Sequence, residues 1–162
     1  MFDRILIAVD GSPYSQPAIS STIEIARKFR SQVFVLHVRE HEVGRAGAFP
    51  LETPQDALDL VAATIKTLRA AGITAAGDVR GIRAGHVAQE VVDAARAHSA
   101  ELITMGSRGL SDMAGLFVGS VTHKVLQLAH TPVLVVRPPV PPAEAPVDTW
   151  EPAAAVPVGP MS

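Results

Sequence analysis

Ile5-Leu6-Ile7-Ala8-Val9-Asp10-Gly11-Ser12-Pro13 is the stretch on which the fold turns. Five consecutive apolar residues, mostly β-branched, read as a strand buried on both faces. Asp10-Gly11 breaks the run, and Ser12-Pro13 reads as an N-cap followed by a first-turn proline. Ala18, Thr22, Ile25 and Phe29 then recur at helical spacing, which predicts a helix directly after the strand. The unit is therefore β-α, and the question is whether it repeats.

It does. Gln32 to Val38 is a second strand. Thr53-Pro54 repeats the N-cap and N1 signal before a stripe of Leu58, Val61, Ile65 and Leu68, with Gly72 placed as a C-cap. Residues 74–82 read as a weaker third strand, and Val87, Val91 and Ala94 mark a third helix. Leu102-Ile103-Thr104-Met105 is a fourth strand. Val118, Val121, Val125 and Leu128 mark a fourth helix, and Val133-Leu134-Val135-Val136 a fifth strand. Strict β-α alternation predicts an α/β fold with a parallel sheet and helices on both faces. Five strands suggest a flavodoxin-like, Rossmann-like sheet in the order 3-2-1-4-5. Ligands of such sheets bind beyond the carboxyl ends of the strands where the order reverses, here between strands 1 and 4.

Composition narrows the function. The chain has 162 residues, 48% of them hydrophobic, and a formal charge of −2, which fits one domain with a sizeable core. That charge balance argues against general nucleic-acid binding and against adhesion to an anionic membrane. There is no cysteine, so disulfides, thiolate metal sites and a cysteine nucleophile are excluded. No apolar run is long enough to span a bilayer, and Met1-Phe2-Asp3-Arg4 lacks a signal-peptide layout, so a cytoplasmic protein is expected. All 14 basic residues lie in residues 1–137. Residues 138–162 hold eight of the 13 prolines and three acids. The domain is accordingly expected to span 1–137. The remainder reads as an extended, disordered Pro/Ala-rich tail carrying Trp150: a solubilising segment or a ligand for a proline-recognition domain.

The chemistry concentrates after Met105. Gly106-Ser107-Arg108-Gly109 is followed nine residues later by Gly119-Ser120, a G-x2-G-x9-G-S pattern. Glycines let backbone N–H groups turn inward and let an anion approach with no Cβ in the way. Gly119-Ser120 opens the fourth helix, whose N-terminus favours a phosphate. Ser107 and Ser120 can each add a hydroxyl donor. The same pattern would also serve a plain strand-to-helix connection whose glycines only make turns.

This pattern, with the opening Ile5 to Ser12 and the closing Thr131-Pro132-Val133-Leu134-Val135-Val136, resembles the universal stress protein family over about residues 1–137, and specifically its ATP-binding branch. Gly106, Gly109, Gly119 and Ser120 match the motif of that branch at every fixed position. The resemblance implies an ATP site. Ala8 and Asp10 would touch the nucleoside, and Val38 would meet the adenine edge through its backbone. Met105 and Gly106 would lie near the ribose. Gly106, Ser107, Arg108 and Gly109, with Gly119, Ser120 and Val121, would hold the phosphates. Two assignments have competitors: Asp10 could instead cap nearby N–H groups, and Arg108 could simply be solvated. The resemblance also implies a homodimer, and an exposed, apolar strand 5 over 133–136 invites such pairing.

Other chemistries lack their parts. There is no G-x4-G-K-[ST] loop. The receiver-type acidic pair is missing: Asp10 stands alone, Arg80-Gly81-Ile82 follows strand 3 and Arg137 follows strand 5. No His pair has helical ligand spacing, so no metal site of the protein's own is expected, and Mg²⁺ would be carried by the triphosphate. Rapid phosphoryl transfer needs a positioned base and a cation, and no motif supplies both. The expected role is ATP binding in regulation or sensing of stress. The alternatives are a slow ATPase or nucleotide-transferring enzyme of the same fold, or a nucleotide-free interaction module.

Overall fold

A computed structural model of the chain describes residues 1–41, 52–83, 85–107 and 119–138. The expectations for Arg108, Gly109, Val118, Trp150 and the tail from residue 139 onward lie outside the described residues.

The elements alternate as the sequence predicts: β1 (Arg4–Ala8), α1 (Ser15–Phe29), β2 (Gln32–His41), α2 (Pro54–Ala70), β3 (Ala75–Arg83), α3 (Val87–Ala97), β4 (Leu102–Gly106), α4 (Ser120–Leu128) and β5 (Val133–Val136). They build one five-stranded sheet in the order β3-β2-β1-β4-β5. Every pairing is parallel. Ile5 to Ala8 stand opposite Leu102 to Met105, and Arg4 to Ala8 opposite Gln32 to Leu36. The sheet thus reverses its order between β1 and β4.

Alternation of side chains along each strand divides the core in two. Ile5, Ile7, Val33 and Val35 pack with Ala18, Ile19 and Ala26 of α1 and Val61 and Leu68 of α2. Leu6, Leu36, Ile103 and Met105 pack with Val91, Val92, Ala94 and Ala95 of α3 and Val125 of α4. β5 contributes to both layers, Leu134 and Val136 to the first and Val133 and Val135 to the second.

Several sequence expectations shift, each for a local reason. α1 begins at Ser15 with Tyr14 as N-cap, rather than at Pro13 after a Ser12 cap. Ser15 N–H bonds to the Ser12 carbonyl and Ser12 N–H to the Asp10 carboxylate, so residues 10–14 form a separate turn before the helical ladder starts. In α2 the inward stripe is Ala57, Val61, Thr64 and Leu68. Leu58 is 54% exposed. Small Ala57 lets the helix lie close to the sheet, and that phase turns Leu58 outward. The close approach continues at Gly77 of β3, where a Cβ would stand 2.6 Å from the Val35 carbonyl oxygen and 2.9 Å from Val61 Cγ1. In α4 Val125 is fully buried while Leu128 is 43% exposed. β3 runs on to Arg83, so Arg80 lies within it; its guanidinium binds Glu90 of α3, which holds Arg80 above the usual guanidinium range.

The start of α2 follows the sequence signal closely. Thr53 Oγ1 accepts from Asp56 N–H at 3.1 Å, and Asp56 Oδ2 accepts from Thr53 N–H at 2.9 Å, a reciprocal capping box. The bonds from Thr53 hold the Asp56 carboxyl below its ordinary range.

α1 is tied to β4 by a buried hydroxyl pair. Thr22 Oγ1 donates to the Ala18 carbonyl at 2.7 Å and lies 2.7 Å from Thr104 Oγ1. Thr22 has spent its one hydrogen, so Thr104 must donate to it. The two valine substitutions are therefore unequal. Thr104→Val leaves Thr22 bonded to Ala18, whereas Thr22→Val strands the Thr104 hydroxyl in the core, at a cost of about 1–3 kcal/mol. Urea unfolding is expected to rank Thr22→Val as clearly the less stable of the two; equal losses would contradict this direction of donation.

Candidate functional site

The strand ends at the order reversal open into a cleft of about 640 Å³, counting the part open to solvent. One side is apolar: Ala8 at the end of β1 and Val9 after it, Leu36 and Val38 of β2, and Val87 and Val91 of α3. The other side is backbone and hydroxyl: Met105 and Gly106 at the end of β4, then Gly119, Ser120, Val121 and Thr122 at the start of α4. Asp10 and Ser15 stand at the β1 rim.

Asp10 organises that rim. Its Oδ1 accepts from Ser12 N–H at 3.0 Å and from the Ser15 hydroxyl at 2.7 Å. Asp10 N–H in turn donates to Ser15 Oγ at 3.3 Å. The turn passes through Gly11 at φ +74°, in the left-handed region that glycine enters without strain. Of the two roles open to Asp10 in the sequence, the capping role is present in the fold. It leaves Oδ2 without a hydrogen bond from the described residues, so the carboxylate keeps an oxygen for a further partner.

The opposite wall is a helix start with little of its own to satisfy it. The first four N–H groups of an α-helix have no intrahelical acceptor. Gly119 N–H donates to the Ser107 carbonyl at 2.8 Å. The next three, on Ser120, Val121 and Thr122, receive no side-chain cap. Thr122 Oγ1 instead donates to the Gly106 carbonyl at 3.1 Å, which pins the first turn of α4 to the end of β4. Ser107 N–H donates to the Val136 carbonyl at 2.9 Å, so β5 fixes the same corner. Among the described residues lining the cleft, Asp10 is the one ionisable side chain. This arrangement offers hydrogen-bond donors to an anion at one end and apolar contact to a flat ring at the other.

Of the residues singled out in the sequence, Ala8, Asp10, Val38, Met105, Gly106, Gly119, Ser120 and Val121 come together around this cleft. Ser107 sits just behind it, 4% exposed, bracing rather than lining. Arg108 and Gly109 lie outside the described residues. Val9, Leu36, Val87, Val91, Ser15 and Thr122 also line the cleft without having been singled out for it. The first four look like ordinary core residues in the sequence, and only the strand-end geometry distinguishes them. His37 went unrecognised as well. It is buried behind Val9, with Nδ1 2.7 Å from the Val9 carbonyl oxygen and Nε2 2.9 Å from Glu52 Oε2. The described residues include no group of three or more His, Asp or Glu side chains placed to hold a metal, and no described helix is long and apolar enough to cross a membrane.

Comparison with known proteins places this geometry. Residues 1–137 match the model of the universal stress protein family. Universal stress protein YxiE of Bacillus subtilis is 31% identical over 150 residues, covering 85% of this chain and 100% of that protein. Among solved structures, hypothetical protein MJ0577 superposes with a TM-score of 0.73 at 26% identity, over 87% of this chain and 99% of the other. The universal stress protein of Archaeoglobus fulgidus, solved in complex with dAMP, superposes with a TM-score of 0.62 at 21% identity, over 83% and 97%.

The Asp10 turn carries its own test. Asp10→Ala removes an acceptor from two hydrogen bonds and should lower stability by about 1–2 kcal/mol. Asp10→Asn keeps an oxygen at the same place and should recover most of the loss. Thermal melts of the ligand-free proteins check this. Equal losses for the two variants would mean that the charge, and not the acceptor, holds the turn.

Proposed function

The chain belongs to the universal stress protein family, and we propose that it is a nucleotide-binding member whose ligand is ATP, acting in regulation or sensing. The observation that carries the reading is the start of α4. Three N–H groups with no side-chain cap face a cleft whose opposite wall is apolar. A phosphate group supplies the acceptors those donors lack, and the helix dipole favours its charge. A base fits the remainder: Ala8 is small, and Leu36, Val38 and Val91 offer apolar faces. The Archaeoglobus fulgidus relative in complex with dAMP supports the choice of an adenine nucleotide.

In this reading Ala8, Asp10 and Val38 hold the nucleoside, Asp10 through its remaining oxygen and Val38 through its backbone. Met105 and Gly106 sit beside the ribose. Ser120 and Val121 donate to phosphate from the helix start, Gly119 leaves the approach open, and Ser107, Arg108 and Gly109 close the phosphates from the other side. Bound Mg²⁺ would be carried by phosphate oxygens and water, because the one described lining carboxylate, Asp10, stands at the β1 rim and in this reading takes the nucleoside. The cleft side chains bind and orient. None of the described ones pairs a base with a cation, the combination rapid phosphoryl transfer needs. ATP binding that alters the surface around the cleft is therefore favoured over turnover as the output.

We also propose a homodimer through β5. Among the described residues this strand pairs only with β4, its four residues are all half-buried, and the preceding helix exposes Leu126 and Leu128 at 47% and 43%. An open apolar edge is satisfied by a second copy across a two-fold axis. Light scattering at the concentrations used for calorimetry should give twice the chain mass; a monomer throughout would overturn the dimer.

Calorimetry should find ATP bound more tightly than adenosine, since the helix start acts on phosphate. Gly119→Val is the decisive variant. Gly119 has φ −57°, a value any residue adopts, so the fold should survive. The branched side chain would crowd the N–H groups of the first turn, and ATP binding should be lost. A folded Gly119→Val protein with wild-type ATP affinity would show that the helix start holds no phosphate.

A further inference from the structure

His37 is 4% exposed, lies in a cleft-forming strand and has no part in the assignments above. Its two ring nitrogens face two acceptors, the Val9 carbonyl oxygen at 2.7 Å and Glu52 Oε2 at 2.9 Å. A carbonyl oxygen only accepts, so Nδ1 carries a hydrogen. The second ring nitrogen, Nε2, is held by the Glu52 carboxyl.

The carbonyl that His37 takes is the next rung of the β1–β2 ladder. Val9 N–H donates to the Leu36 carbonyl at 2.9 Å, so Leu36 turns its peptide edge towards β1. Residues two apart along a strand turn their peptide groups to the same side, so Val38 does likewise. A continuing parallel ladder would close Val38 N–H on the Val9 carbonyl. The pairing instead stops at Ala8 with Leu36. The Val9 carbonyl goes to the imidazole, and Val38 N–H is left at the open end of the ladder, in the cleft wall.

We propose that His37 is a positioning residue for the cleft: its imidazole captures the Val9 carbonyl and so keeps Val38 N–H available to the edge of a bound adenine ring. The nucleotide reading above supplies the ligand in this statement, while the capture itself stands on the ladder. Glu52 orients the ring from its far side.

Glu52 is itself held in place: Arg39 Nη2 donates to its carbonyl at 3.1 Å, and Arg39 Nε lies 3.9 Å from Oε2.

The test compares wild type, His37→Leu and Glu52→Ala by calorimetry, with ATP and with tripolyphosphate, which has no base. Amide exchange at Val38 is followed by NMR without ligand. His37→Leu is expected to weaken ATP about five- to tenfold, the size of one hydrogen bond, and to leave tripolyphosphate unchanged. Its Val38 amide should exchange more slowly than in wild type, because the ladder closes on it. Glu52→Ala, which frees the ring from its far partner, should weaken ATP less than His37→Leu does and leave tripolyphosphate unchanged. A folded His37→Leu protein with undiminished ATP affinity, or with equal losses for both probes, overturns the proposal. So does a Val38 amide that exchanges equally in both proteins. Should His37→Leu fail to fold, an ATP affinity in Glu52→Ala equal to wild type overturns it, and a loss confined to ATP supports it. A wild type that binds neither probe refutes the nucleotide reading, and Val38 exchange then decides the role of His37 alone.

Discussion

The ladder between β1 and β4 is the constraint on which everything else in this molecule rests. Ile5 to Ala8 pair with Leu102 to Met105, and Leu6, Ile7, Ile103 and Thr104 of these strands are wholly inaccessible to solvent. Crossover connections in parallel sheets are right-handed. From β1 the chain goes through α1 to β2 on one side, and from β4 through α4 to β5 on the other. The two helices must then leave neighbouring strands towards opposite faces of the sheet. No connection covers the seam between them, so the cleft follows from the topology before any side chain in it is chosen.

The same constraint explains how a carboxylate comes to stand at the rim of a cleft read as an anion site. Asp10 follows β1, where the chain must turn sharply to start α1. A buried turn leaves N–H and hydroxyl groups that need an acceptor. The Asp10 carboxylate answers Ser12 and Ser15 with one oxygen. The charge-assisted bonds of that turn draw its charge density away from the α4 end, where the uncapped N–H groups lie. The cleft is thus divided by its backbone: acceptor chemistry on the β1 rim, donor chemistry at the helix start, and apolar side chains between them.

The sequence made most of this legible because the period-two and helical patterns rarely conflict here. β5 runs over Val133–Val136 as read, and α2 starts at the capping box that Thr53-Pro54 announces. In α2 and α4 apolarity is a poor guide to helix phase: Leu58 and Leu128 are exposed, while Thr64 and Thr122 are buried, as is Thr22 of the α1 stripe, with their hydroxyls bonded to backbone carbonyls one turn or one element away. A threonine with a local acceptor packs like a valine, and composition does not announce that acceptor. The site divided similarly. Glycines and Asp10 at element ends carry a visible signal, whereas Leu36, Val87 and Val91 become site residues only through where their strands and helices stop. His37 needed both the end of the ladder and the position of Glu52, and neither is written in its neighbourhood of the chain.

The four described helix starts differ in how their charge is met. A helix N-terminus carries partial positive charge that a nearby carboxylate can offset. At α2 that carboxylate is Asp56, in the first turn and hydrogen-bonded to Thr53. At α3 it is Glu90, which also binds Arg80. α1 has no acid in its first turn, but Asp10 meets it through the Ser15 hydroxyl. α4 has neither an acid in its first turn nor a side-chain cap, and it opens on a glycine. Ser120 is exposed and Val121 half-buried in the cleft wall, whereas Thr122 is buried. An anion entering there would align with the dipole, at a helix start where no described side chain competes. The deficit that remains at α4 has the sign and the position that a phosphate would complete.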